Sequence, residues 1–186
     1  MGRRLLGFGF ALLLAATPAA ATPERWLHVH VVEHGGSGDT VRVNVPLSTI
    51  ESLVPLIQTE ELSGGKLRLG DHDVEGVDLR AMWKALSKSG DTDFLTVTGT
   101  QGHVRVSRKG AYLLATVEGR HEDPGNVKVR IPVAVLDALF SSSENEVDLL
   151  AALRVLGDEA DGELVRVESD DSQIRVWIDG VQEGRP

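Results

Sequence analysis

Val41-Arg42-Val43-Asn44-Val45-Pro46 and Val127-Lys128-Val129-Arg130-Ile131-Pro132 read as one strand written twice. In each, apolar β-branched residues take every second position, charged or polar residues sit between them, and a proline closes the run. Period two marks one face of a strand, and a residue without an amide hydrogen ends the ladder. On either side of these strands the register holds without a gap. Trp26-Leu27-His28-Val29-His30-Val31 lies over Tyr112-Leu113-Leu114-Ala115-Thr116-Val117, and Leu53 over Leu139. After an insertion of roughly 16 residues in the first copy, a second block begins. It aligns Val77-Asp78-Leu79 with Val147-Asp148-Leu149, Leu86 with Leu156, and Val104-Arg105-Val106 with Ile174-Arg175-Val176. A shared proline after the second strand and a shared V-D-L before the second helix argue against chance.

Each copy therefore reads β-β-α-α-β-β. Gly35-Gly36-Ser37-Gly38-Asp39 and Asp123-Pro124-Gly125-Asn126 have the composition of hairpin turns. Helical spacing places Ile50, Leu53, Val54 and Ile57 on one face, matched by Leu136, Leu139 and Phe140. Leu79, Met82, Trp83 and Leu86 repeat that spacing, matched by Leu149, Ala152, Leu153 and Leu156, and Asp78 and Asp148 stand where N-caps belong. The expected fold is α+β: two tandem repeats, with antiparallel sheet covered by helices on one face. Arg108-Lys109-Gly110-Ala111 is too short to be a linker, so the repeats are expected to join in one pseudo-symmetric body. The expected boundaries are a signal peptide over 1–21, repeat 1 over 22–109 with its insertion near 55–76, repeat 2 over 110–180, and a tail over 181–186.

Arg3-Arg4, the apolar run Leu5 to Ala16 and Ala19-Ala20-Ala21 follow the order of a cleavable export signal. The run is roughly 12 residues, against about 20 for a bilayer span, so no transmembrane segment is expected after cleavage. The protein is thus expected to be exported, to the periplasm or beyond. The chain contains no cysteine, which excludes disulfides, thiolate metal sites and a lipidated N-terminal cysteine. Its formal net charge is −9, and losing Arg3 and Arg4 with the signal makes it −11. A chain so acidic lacks the basic footprint that nucleic-acid binding needs.

The two strand pairs, with Val77-Asp78-Leu79 and Val104-Arg105-Val106, resemble a small module of bacterial cell-envelope stress proteins, where it follows a SHOCT-like helical segment. The resemblance implies a noncatalytic, envelope-related role and brings no catalytic residues with it.

Several constellations have residue types that chemistry could use. Asp71-His72-Asp73-Val74-Glu75-Gly76 begins like a calcium loop, but Met82 stands where the bidentate glutamate belongs. His28 and His30 share a strand face, as two zinc ligands could, without an identifiable third. His72, His103 and His121 read as lone loop residues. There is no G-x-S-x-G, and Ser141-Ser142-Ser143 reads as a polar loop. Asp158 to Glu163 and Glu168 to Asp171 read as solvated acidic turns. No cofactor is implied.

The sheet face away from the valines carries the strongest functional signal. Copy two turns Tyr112, Lys128, Arg130, Arg166, Arg175 and Trp177 outward; copy one turns out Trp26, His28, His30, Arg42 and Arg105. Aromatics beside arginines are the composition of interaction hot spots. The expected function is an exported, noncatalytic binding or assembly module whose partner is a protein or an anionic envelope component. The alternatives are a periplasmic hydrolase with carboxylates converging in space, and a self-associating structural protein, that is, a homo-oligomer.

Overall fold

The computed structural model describes residues 23–34, 38–69, 79–100, 102–119, 125–143 and 145–183. The export segment, Gly35-Gly36-Ser37, the Asp71–Gly76 loop with His72, the Asp78 cap, His121 and Asp123-Pro124 lie outside those residues.

The chain folds as α+β. Eight long strands form one sheet: β1 (Trp26–Glu33), β2 (Thr40–Pro46), β5 (Thr92–Thr98), β6 (Gly102–Lys109), β7 (Tyr112–Gly119), β8 (Asn126–Pro132), β10 (Gly162–Glu168) and β11 (Ser172–Asp179). Their order is β2-β1-β11-β10-β8-β7-β6-β5, with every neighbouring pair antiparallel. The first and last long hairpins of the chain meet through β1 and β11, and β6 pairs directly with β7 across the Gly110 turn. The margins of the sheet are β2 and β5.

Alternation sorts the strands into two faces. One is apolar: Leu27 faces Ile178, Val29 faces Val176, and Val129 faces Val165. Among the described residues four helices accompany it: α1 (Leu47–Leu53), α2 (Leu79–Leu86), α3 (Val133–Leu139) and α4 (Leu149–Glu159). Leu47, Ala160 and Ile178 form the buried centre, with Leu27, Ile50, Leu156 and Leu164 packed against it, so α1 and α4 cover β1, β10 and β11. Next to α4 lies α3. Through Trp83, whose Nε1 donates to Asp137 Oδ1 at 2.9 Å and whose ring stacks on Phe140, α2 is tied to α3. Trp83 is buried, whereas Leu79, Leu149 and Leu153 are half-buried. Asp148 caps α4, accepting from the Ala151 amide at 2.8 Å.

One local expectation is corrected. The helical face Ile50, Leu53, Val54, Ile57 does not form, because α1 ends at Leu53 and one 3-10 turn (Val54–Leu56) follows. Pro55 lacks the amide that would bond back to Glu51 and clashes with that carbonyl, so the helix stops. Ile50 packs in the core while Leu53 and Ile57 remain exposed. The insertion carries secondary structure of its own. Its hairpin, β3 (Leu62–Ser63) and β4 (Lys66–Arg68), pairs with a further short strand, β9 (Glu146–Asp148). The hairpin seats on α4 where the Leu150 amide donates to the Gly65 carbonyl at 3.1 Å.

Candidate interaction face

The opposite sheet face gathers the residues singled out from sequence. Trp177 faces His28, Arg175 faces both His30 and Arg166, and Arg166 faces Lys128. Tyr112 and Arg130 continue the same face on β7 and β8. The six residues nevertheless sit in three different environments, and only one of these presents free charge.

The first is an ion cluster. Arg166 and Arg175 stand directly opposite each other, an unfavourable cross-strand pair if left alone. Glu163 resolves it. Its Oε1 accepts from Arg166 Nε at 2.8 Å, and its Oε2 accepts from Arg166 Nη2 at 2.5 Å and from Arg175 Nε at 2.7 Å. Glu168 takes Arg166 Nη1 at 3.1 Å. The Arg166 hydrogen bonds hold the Glu163 carboxyl below its ordinary range against the opposing pull of burial, with Arg175 adding to them. The Arg166 guanidinium is correspondingly held more firmly protonated, chiefly by Glu163 and then by Glu168. The segment Asp158 to Glu163 is therefore not a solvated turn at its end. Period-two counting would put Glu163 and Arg166 on opposite faces, but a bulge between Glu163 and Val165 brings them to one side.

The second environment is closed. Trp177 is only 6 % exposed and His28 is fully buried. The two rings stack, and Trp177 Nε1 donates to Asp179 Oδ2 at 3.1 Å. Acceptors stand at both His28 ring nitrogens: Asn44 Oδ1 at 2.6 Å from Nδ1, and Asp179 Oδ1 at 3.1 Å from Nε2. Burial opposes ionisation of Asp179, but the Val181 amide, His28 and Trp177 together hold its carboxyl below the usual range. The expectation of Trp177 as an outward-facing anchor is thus corrected: it packs within this network. His30 is engaged differently, accepting from Arg42 Nε at 3.3 Å, so the histidine pair does not converge on one point.

The third environment remains open. The Arg130 guanidinium lies 3.9 Å over the Tyr112 ring, and Lys128 beside it is exposed. Sequence reasoning missed Glu163, Asn44 and Asp179. The only signal for Glu163 was its place at the head of a Val-x-Val run, which marks a strand and not a turn.

A family model described as "YvlB-like protein, C-terminal domain" matches residues 25–107, the stretch from β1 into β6. This fits a bacterial protein family of the envelope-stress type. No curated protein and no solved structure matches the chain. Among the described residues, no helix is long and apolar enough to cross a membrane.

Proposed function

We propose that this chain is an exported, noncatalytic assembly module of the cell envelope, acting by protein association and built from two copies of one unit, residues 22–109 and 110–180. Register supports the duplication. The β1·β2 pairing, Trp26 opposite Pro46, has its counterpart in β7·β8, Tyr112 opposite Pro132. The β1·β11 pairing, Trp26 opposite Asp179, corresponds to β7·β6, Tyr112 opposite Lys109. Bulges fall at matching places, between Asp93 and Leu95 and between Glu163 and Val165. Even the helix entries agree: the Leu47 amide donates to the Arg25 carbonyl and the Val133 amide to the Ala111 carbonyl, both at 2.8 Å.

The observation that carries the association reading is where apolar surface stays open. Val41 on β2 and Val97 on β5 are 53 % and 49 % exposed, on the two strands that end the sheet. An apolar edge with unpaired backbone groups is a template for another strand. The basic face is a weaker docking site, since Glu163 and Glu168 already neutralise Arg166 and Arg175. Glu163 also speaks for a noncatalytic role, because a carboxylate locked between two guanidiniums is poorly placed to carry protons.

Two measurements test this. Intact mass of the exported chain should begin at Thr22, and a retained Met1–Ala21 segment would overturn export through this signal. Chemical cross-linking in envelope extracts should trap the wild-type chain in protein complexes and a Val41→Lys/Val97→Lys variant far less. Equal trapping of both, or of neither, would overturn association through these edges.

A further inference from the structure

The two open margins fit one another. β8 and β10 pair antiparallel inside the chain: Val129 faces Val165, Lys128 faces Arg166, and Val127 faces Val167. In the duplicated-unit reading, on which this inference rests, β2 corresponds to β8 and β5 to β10. Those two strands lie at opposite margins of the sheet. The internal pairing supplies a template for an edge contact that the single chain leaves unmade.

We infer that a second copy of this chain completes the sheet, with β2 of each copy pairing antiparallel with β5 of the other. Transferring the β8·β10 register places Val43 opposite Leu95, Arg42 opposite Thr96, and Val41 opposite Val97 of the other copy. Val41, Val43, Leu95 and Val97 are all exposed, whereas their counterparts Val127, Val129, Val165 and Val167 are partly buried. The helices show the same asymmetry. Leu53 on α1 and Met82 on α2 are exposed, while the corresponding Leu139 on α3 is half-buried and Ala152 on the adjacent α4 is buried.

The occupant follows from complementarity and area. A contact here needs a β5-type edge against β2 and a β2-type edge against β5, and a second copy carries one of each. A two-fold axis then satisfies both margins and leaves no free edge. Six large apolar side chains, each about half exposed, with the backbone of two strands, amount to on the order of 600–800 Å² per copy, close to a standard interface. Within the single chain β2 and β5 do not pair with each other. In that chain α1 seats on α4, α2 is tied to α3, and the β3–β4 hairpin is held on β9 and α4. Arg80 adds to the hold on α2 by donating to the carbonyls of Phe140, Ser143 and Glu146.

The chain has no cysteine, so engineered thiols report cleanly. Val43→Cys and Leu95→Cys are made in separate full chains, purified in mature form, mixed, and treated with a short bifunctional thiol reagent. The mixture should give a covalent dimer several-fold in excess of either variant alone, and of Val43→Cys mixed with the out-of-register Val97→Cys. In sedimentation the wild type should run as a dimer, and Val41→Lys/Val97→Lys should raise its dissociation constant roughly tenfold or more, as edge lysines oppose strand pairing. A monomer whose Val43→Cys/Leu95→Cys double variant cross-links within one chain would overturn the second copy yet leave the duplicated unit standing. No cross-link of either kind would overturn the register and the inference together. Complexes containing only an unrelated protein would overturn the inference while leaving an assembly role intact.

Discussion

The indole of Trp177 lies stacked on the imidazole of His28, with centroids 4.9 Å apart and ring planes inclined by 19°. One ring comes from the first strand of the chain and the other from the last, so the pair fastens the two ends of the fold together. Removing the indole would open a cavity beside a buried imidazole and free the Asp179 carboxylate of one donor. Trp177→Ala should therefore cost about 3–5 kcal/mol, the range for losing a buried aromatic. Urea unfolding of the variant checks it; an unchanged midpoint with altered partner binding would instead make Trp177 a contact residue.

Glu163 links stability to pH. Hydrogen bonds from Arg166, then Arg175, hold its folded-state carboxyl below the ordinary value of 4.5. A group depressed on folding contributes stability above its unfolded value and loses it as pH falls through the folded one. The wild type should thus exceed Glu163→Gln in stability at neutral pH, and the gap should narrow from about pH 4.5 downward. Denaturant midpoints of both proteins across that range provide the measurement. A gap that stays constant would show that the cluster is maintained without the carboxylate charge.

Trp83 joins α2 to α3 in two ways that substitution can separate. Trp83→Ala should destabilise by about 3–5 kcal/mol through lost packing. Trp83→Phe keeps most of the ring contact with Phe140 but loses the 2.9 Å bond to Asp137, and should cost about 1 kcal/mol beyond the lost ring area. Thermal unfolding of the two variants, together with Asp137→Ala, distinguishes the contributions.

Gly65 is where the inserted hairpin meets α4. Its φ is +81°, and a Cβ placed there would stand 2.7 Å from Leu150 Cβ, an atom fixed close to the helix backbone. Gly65→Ala should cost on the order of 1–3 kcal/mol from strain and clash. The loss should fall mainly on the seating of the hairpin. Hydrogen exchange at the amides of Leu150, which bonds Gly65, and Leu69, which bonds Asn145, should accelerate first.

Much of the architecture was legible because its causes are local. Alternating valines mark strands, Pro46 and Pro132 end them, and Asp148 caps the helix that follows. Where the reading failed, a single residue overrode the pattern or a distant one completed it. Pro55 cut short a helix whose apolar spacing continued to Ile57. The extra residue of a bulge moved Glu163 onto the face of Arg166. Strand β9 is three residues long, and it is the hairpin from the insertion that gives it a partner.

By itself the sequence determined the class of the protein: strands with one apolar face, helices to cover them, an acidic chain without cysteine, and no motif for nucleophilic chemistry. Tertiary structure alone decided strand order. It placed β1 beside β11, which buried Trp177 against His28, and it set Arg175 against Arg166, which drew Glu163 between them. It also left β2 and β5 as margins with their valines uncovered. The reason is that backbone hydrogen bonding is the same for every pair of strands. An alternating sequence specifies which face of a strand is apolar, whereas its neighbour is chosen by how the whole set of faces, helices and connections packs together.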